Sequence, residues 1–230
     1  MFDALLLGLA AQSSLLIAGL VACWFKIPTR VVGVLGGFGS GALIAAVSFD
    51  LMGEAAELDN TQLAFWMLGG AAVFIAGDYV VERRFGSEGQ GGAMGIVVGS
   101  VVDGVPESII FGIQVATGYP ISISFLGSVW VSNIPQSIAP SADLAAGGWN
   151  WRRLGALWGG VVAACGVASA LGYLVADNVS VADGDVMAAL ASGGILAMLT
   201  TSLMPFSTER GGSLAGAATV VGFCLSFAAT

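Results

Sequence analysis

Runs of about twenty or more residues with almost no charge recur along this sequence from end to end, and they restrict the chain to a membrane. Breaks at charged or Gly/Pro-rich turns separate eight of them, near 3–25, 31–57, 62–81, 92–116, 121–145, 152–176, 184–206 and 212–229. About twenty apolar residues in a helix cover the roughly 30 Å of a bilayer's hydrocarbon core. No water is available there, so the backbone must satisfy its own hydrogen bonds, as a helix does. Composition agrees: 57% of the residues are hydrophobic and 10% charged, and mean hydropathy is +0.91, which excludes a soluble globular domain. The runs leave no room within residues 1–230 for a second, soluble domain, so a single transmembrane domain is expected. The first run follows Met1-Phe2-Asp3 without a basic n-region and is about 23 residues long, the pattern of a retained helix and not of a cleaved leader.

Eight crossings assign alternate turns to opposite faces, and the bases sort accordingly. Lys26 and Arg30 flank the first turn, Arg83 and Arg84 the third, Arg152 and Arg153 the fifth, and Arg210 the seventh. The even turns and both termini carry none. Basic turns face the cytoplasm, so both termini are expected outside it; a missed or extra span would scramble the pattern. The outer turns carry Glu57 and Asp59, then Asp177, Asp183 and Asp185. Loop solvation is the plain reading of these acids, and the same negative face attracts cations. With a net charge of −8 and bases only as singles and pairs, no nucleic-acid partner is expected. A single lysine beside abundant Ala, Gly and Asp points to a GC-rich or salt-adapted prokaryote, and so to a prokaryotic cytoplasmic membrane.

The chain has no histidine, and Cys23, Cys165 and Cys224 lie far apart in apolar runs. Zinc-finger, haem and iron–sulfur sites are excluded, as is every catalytic device built on imidazole. Neither an enzyme nor a cofactor is expected. Ala76-Gly77-Asp78 with the paired acids raises an intramembrane aspartyl protease, but that chemistry needs two aspartates within reach on adjacent helices, and Asp78 lies near the interface beside Arg83 and Arg84.

Ionisable residues at membrane depth are costly and face a protein- or water-lined interior. Asp103 and Glu107 are the deepest, in Ser100-Val-Val-Asp-Gly-Val-Pro-Glu-Ser108, and their i, i+4 spacing sets both carboxylates on one helix face. Pro106 frees the carbonyl of Val102 from its helical hydrogen bond, which offers another oxygen. Span five repeats the arrangement: Val131-Ser-Asn-Ile-Pro-Gln-Ser-Ile138 matches Val102 to Ile109 at Val, Pro, Ser and Ile, and sets the amides of Asn133 and Gln136 near the bilayer centre. Two buried carboxylates with no deep base must share a proton or hold a cation. The plainer alternative is that they hydrogen-bond Asn133 and Gln136 and merely join two helices. Neighbouring broken helices with polar residues at the midplane mark a transporter's binding site.

Asp50 and Glu54 repeat the i, i+4 spacing nearer the outer end of span two, as an entrance or simply a solvated helix end. Ser202-Leu-Met-Pro205 of span seven resembles Asp50-Leu-Met-Gly53 of span two, which hints at two three-helix units of opposite orientation around spans four and five. Abundant glycine suits close helix packing.

These residues resemble the ZIP (Zrt/Irt-like) family of divalent metal transporters over essentially the whole chain. The family's span-four motif, His-Asn-x-Pro-Glu-Gly, is matched by Asp103-Gly104-Val105-Pro106-Glu107-Ser108, and its span-five motif, His-Glu/Asn-x-Pro-x-Glu/Gly, by Ser132-Asn133-Ile134-Pro135-Gln136-Ser137. In span two the family's glycine, histidine, proline, glutamate and alanine fall on Gly41, Asp50, Gly53, Glu54 and Ala55; in span seven the likeness runs through Gly193, Gly194, Ser202 and Pro205. The resemblance implies an all-α integral membrane fold of eight helices in a three-two-three arrangement with inverted repeats. It also implies a metal site at Asp103, Glu107, Asn133 and Gln136. Here the motif histidines are replaced and the span-seven glutamates are missing, so the implied set is oxygen-only and holds one metal instead of two. Oxygen ligands suit manganese, magnesium or calcium better than zinc.

The expected function is therefore a carrier that moves a divalent cation towards the cytoplasm as spans four and five rock against the flanking units, with proton and cation competing for the same carboxylates. The rival reading keeps the fold but loses the metal and carries another solute. Membrane lipid is the expected surroundings, and the sequence leaves open whether two copies pair as a homodimer.

Overall fold

The computed structural model describes residues 1–85, 90–118, 121–177 and 181–229; within these, the side chains at 81, 82, 84, 85, 90–96, 98, 99, 102, 103, 177 and 181–183 lie outside the description. Every regular element among the described residues is helical. Helix α1 spans Phe2–Trp24. Helix α2 starts as Thr29–Ala46, passes through a π-helical segment at Val47–Leu51 and ends as Met52–Glu54. Then come α3 (Asn60–Phe85), α4 (Gln90–Thr117), α5 (Ile123–Ala146) and α6 (Trp151–Asp177). Helix α7 runs Val181–Met198, then π-helical Leu199–Leu203, then Met204–Gly211, and α8 is Ser213–Ala229. Each helix falls on one apolar run, so the numbering is that of the runs. The turns have local causes. Asp59 Oδ1 accepts from the amides of Thr61 at 2.8 Å and Gln62 at 3.0 Å to open α3, Ser122 accepts from the Phe125 amide at 3.0 Å to cap α5, and Gly212, at φ 56°, takes the chain from α7 into α8.

Among the described residues five helices are long and apolar enough to cross a membrane: Phe2–Trp24, Thr29–Glu54, Asn60–Val80, Trp151–Ala176 and Gly184–Gly211. Of the other runs, α5 carries polar residues of the interior, and α8 is apolar but only 17 residues long, about 25 Å of helix. α3 is the least covered, with Phe65, Leu68, Val73 and Ile75 more than half exposed, a surface that suits lipid and not water.

α4 and α5 lie at the middle of the contact pattern. α4 packs on α6, α1, α3 and α7; α5 packs on α1 and α2; α8 closes on α2, and α3 on α7. Phe111 of α4 meets Phe125 of α5 with ring centroids 4.9 Å apart, within a core that includes Leu43, Leu51, Ile195 and Leu203. Trp158 of α6 is fully buried and satisfies its indole by donating to Ser141 Oγ at 2.7 Å.

One spacing recurs throughout the packing. The π segments at Val47–Leu51 and Leu199–Leu203 lie 152 residues apart. A Cβ at Gly41 would overlap the carbonyl of Thr219, and one at Gly193 that of Met67; a Cβ at Gly222 would overlap the carbonyl of Phe38, and one at Gly70 that of Leu190. Adding 152 to Gly41 and Phe38, and removing it from Thr219 and Gly222, turns each α2–α8 contact into an α7–α3 contact. α1 and α6 run antiparallel, with Gly8 against Ser169 and Gly19 against Trp158.

Charge separates along the helices. Gly33, near the start of α2, lies against Arg210, and Cys23 shares a packing cluster with Trp149, so the turns bearing Lys26, Arg30, Arg152, Arg153 and Arg210 meet at one end. Their guanidiniums lie over rings: Arg210 over Phe206 at 3.9 Å and Arg152 over Trp151 at 5.4 Å. At the opposite end, the acids of α2 meet the end of α4 and the start of α5.

Candidate functional site

Three helices meet at a chain of buried polar groups. Gln12 stands at the middle of α1 and is 0% exposed. Its Nε2 donates to Glu107 Oε2 of α4 at 3.1 Å. Its Oε1 accepts from Asn133 Nδ2 of α5 at 2.7 Å. Glu107 is also 0% exposed, and its second oxygen, Oε1, has no partner among the described residues. A buried carboxylate oxygen without a donor forgoes its hydration uncompensated, so it calls for a proton, a water or a cation.

Of the four site residues expected from the sequence, the structure brings two together, Glu107 and Asn133, and it does so through Gln12 and not by direct contact. Gln136, one turn beyond Asn133 on α5, is 9% exposed, and its Nε2 has no partner among the described residues. Asp103 falls in α4 one turn before Glu107; its side chain lies outside the described residues. Proline supplies further oxygens. Pro106 in α4, and Pro135 and Pro140 in α5, sit inside their helices, and each lacks the N–H that would engage the carbonyl four residues earlier, at Val102, Val131 and Gln136. Among the described residues no three His, Cys, Asp or Glu side chains come together; the side chain that bonds Glu107 is the amide of Gln12, itself bonded by Asn133.

A second polar group lies at the acidic end. The π segment carries Asp50, and Glu54 follows on the last helical turn of α2. Ser122 Oγ, at the start of α5, donates to Asp50 Oδ2 at 2.7 Å, and Gln114 Nε2, near the end of α4, donates to Glu54 Oε1 at 2.5 Å. Both acids are half-buried, so this helix end is not simply solvated.

Gln12 and Gln114 were not picked out by the sequence. Gln12 left a signal: it is the one amide in an otherwise small and apolar run, on the face of α1 with the buried Gly8, Leu15 and Gly19. Comparison with protein-family models and with curated proteins gives no match for the chain.

Proposed function

We propose that the chain is a ZIP-like membrane carrier that moves a divalent metal cation towards the cytoplasm through an oxygen-ligand site between α4 and α5. The observation that carries this reading is Glu107, a fully buried carboxylate whose Oε1 is left without a partner at the meeting of three helices. Among the described residues no basic side chain pairs with Glu107, so its charge is balanced by a proton or by a cation.

Asp103 supplies the second carboxylate of this site, and the carbonyls released by Pro106 and Pro140 with the amide oxygen of Gln136 complete it. Such a donor set favours manganese, magnesium or calcium over zinc. Gln12 positions Glu107: by engaging Oε2 it leaves Oε1 as the oxygen that faces the cargo.

The wider reading is a three-two-three arrangement of eight crossings, with α1–α3 and α6–α8 as inverted repeats around α4 and α5. Its support is the 152-residue spacing of the π segments and of the glycine contacts, together with the antiparallel run of α1 and α6. The gathering of bases at one end supports a cytoplasmic position for that end, which leaves both termini outside. Rocking of α4 and α5 against the repeats then exposes Glu107 to each side in turn.

Calorimetric titration of purified protein with manganese, magnesium, calcium, zinc and cobalt tests the site. A saturable class of binding that depends on Glu107 is expected in the wild type, and that class should be lost in Glu107→Gln. Because proton and cation compete for one carboxylate, manganese uptake into proteoliposomes should weaken steadily as the external medium is acidified. Binding unchanged in Glu107→Gln, or uptake that rises as pH falls, overturns the reading.

A further inference from the structure

We infer that a second cation-binding site, distinct from that at Glu107, lies at the acidic end of the molecule, built from Asp50, Glu54 and Gln114 and specific for a hard divalent ion. Two acids alone would make only a negative patch. The added observation is Gln114, which is 0% exposed and whose Oε1 has no partner among the described residues. The nitrogen of the same amide donates to Glu54 Oε1 at 2.5 Å, so the unsatisfied oxygen stands within one amide's width of the Glu54 carboxylate. An amide oxygen buried beside a carboxylate and lacking any donor is placed to serve a cation.

The backbone explains how the acids come together. Across the π segment Val47–Leu51 the helix takes an extra residue into its turn, and both acids reach the junction where α4 ends and α5 begins. Asp50 is fixed by Ser122 and Glu54 by Gln114, which leaves Asp50 Oδ1, Glu54 Oε2 and Gln114 Oε1 without a partner among the described residues. Two carboxylates balance one divalent charge, and an all-oxygen set suits calcium, magnesium or manganese. The same end has further acid: Asp185 of α7 is 2% exposed with Oδ1 unpartnered among the described residues, one turn from Ala188 and Ala189, which pack on Ala55 beside Glu54. Such π turns concentrate at functional sites. The partner turn at Leu199–Leu203 carries Ser202 at the position equivalent to Asp50 and no acid, so it offers no such site.

The test uses the full chain in detergent micelles, titrated calorimetrically with calcium, magnesium and manganese, each alone, in the wild type, in Glu107→Gln and in the double variant Asp50→Asn, Glu54→Gln. Binding in Glu107→Gln is expected to persist with about the wild-type affinity of the second class, and that class should vanish in the double variant. This separates the two sites: if the Glu107 reading fails, the wild type and Glu107→Gln bind identically and the double variant binds nothing. A double variant that binds as the wild type does, or a wild type that binds none of the three ions, overturns the proposal. Should the double variant fail to fold, Gln114 decides. Gln114→Leu should weaken binding by about tenfold or more and Gln114→Glu should tighten it, since added ligand charge raises calcium affinity; unchanged affinity in both overturns the proposal.

Discussion

Gln12 ties two groups that could not otherwise be buried together. Replacing it with leucine keeps the volume and the apolar character of α1, but removes the donor to Glu107 Oε2 and the acceptor for Asn133 Nδ2. Each group left unpaired costs about 1–3 kcal/mol, so Gln12→Leu should lower the thermal midpoint of the purified protein by several degrees; an unchanged midpoint would show that the triad carries no strain of this kind. Glu107→Gln removes a buried charge yet keeps an oxygen for Gln12, so its metal-free form should melt no lower than the wild type. A melting temperature well below it would mean that the carboxylate itself is a strut. Glu107 and Asn133 were legible in the sequence because a carboxylate or a doubled Pro-amide pattern stands out against apolar neighbours. Gln12 left only the weaker signal of a single amide in a long apolar run, and packing alone shows that it reaches two helices at once.

Helices meet here backbone to backbone, and glycine sets the distance. At Gly41 and Gly193 an added methyl group would collide with a carbonyl of the facing helix, whereas at Gly160, on the exposed side of α6, nothing lies within 4 Å. Gly41→Ala and Gly193→Ala should therefore both lower the thermal midpoint, and by similar amounts because their surroundings are equivalent. Gly160→Ala should leave it unchanged or raise it, since alanine favours a helix interior by about 0.5–1 kcal/mol. Equal effects at all three positions would refute this account of the packing. The helix bounds were readable from run lengths to within a few residues among the described residues; the break expected at 207–211 instead lies within the last turns of α7, and the chain turns at Gly212. The π segments were not readable. The Asp50-Leu-Met likeness to Ser202-Leu-Met pointed to their neighbourhood, but a change of one residue in helical register leaves the apolar pattern of so buried a segment almost unaltered. That change is why Asp50 and Glu54 meet Ser122 and Gln114 instead of lying along a plain helix face.

At the scale of the molecule, the sidedness of the chain is open to a direct check. With the three native cysteines replaced, Asp59→Cys should react with a membrane-impermeant maleimide on intact cells, and Asn150→Cys only after permeabilisation; the reverse pattern would invert the orientation. The separation of acids from bases has a further consequence. In the carrier proposed above, the matched glycine contacts of α2 with α8 and of α7 with α3 give neither end a preference of its own. The fixed charges would remove that equivalence: the acidic end enriches cations within about a Debye length, roughly 8 Å at physiological salt, and the basic end depletes them. On that proposal scarce ions would be captured preferentially from the acidic side, and raising the salt should flatten the difference until both ends fill alike.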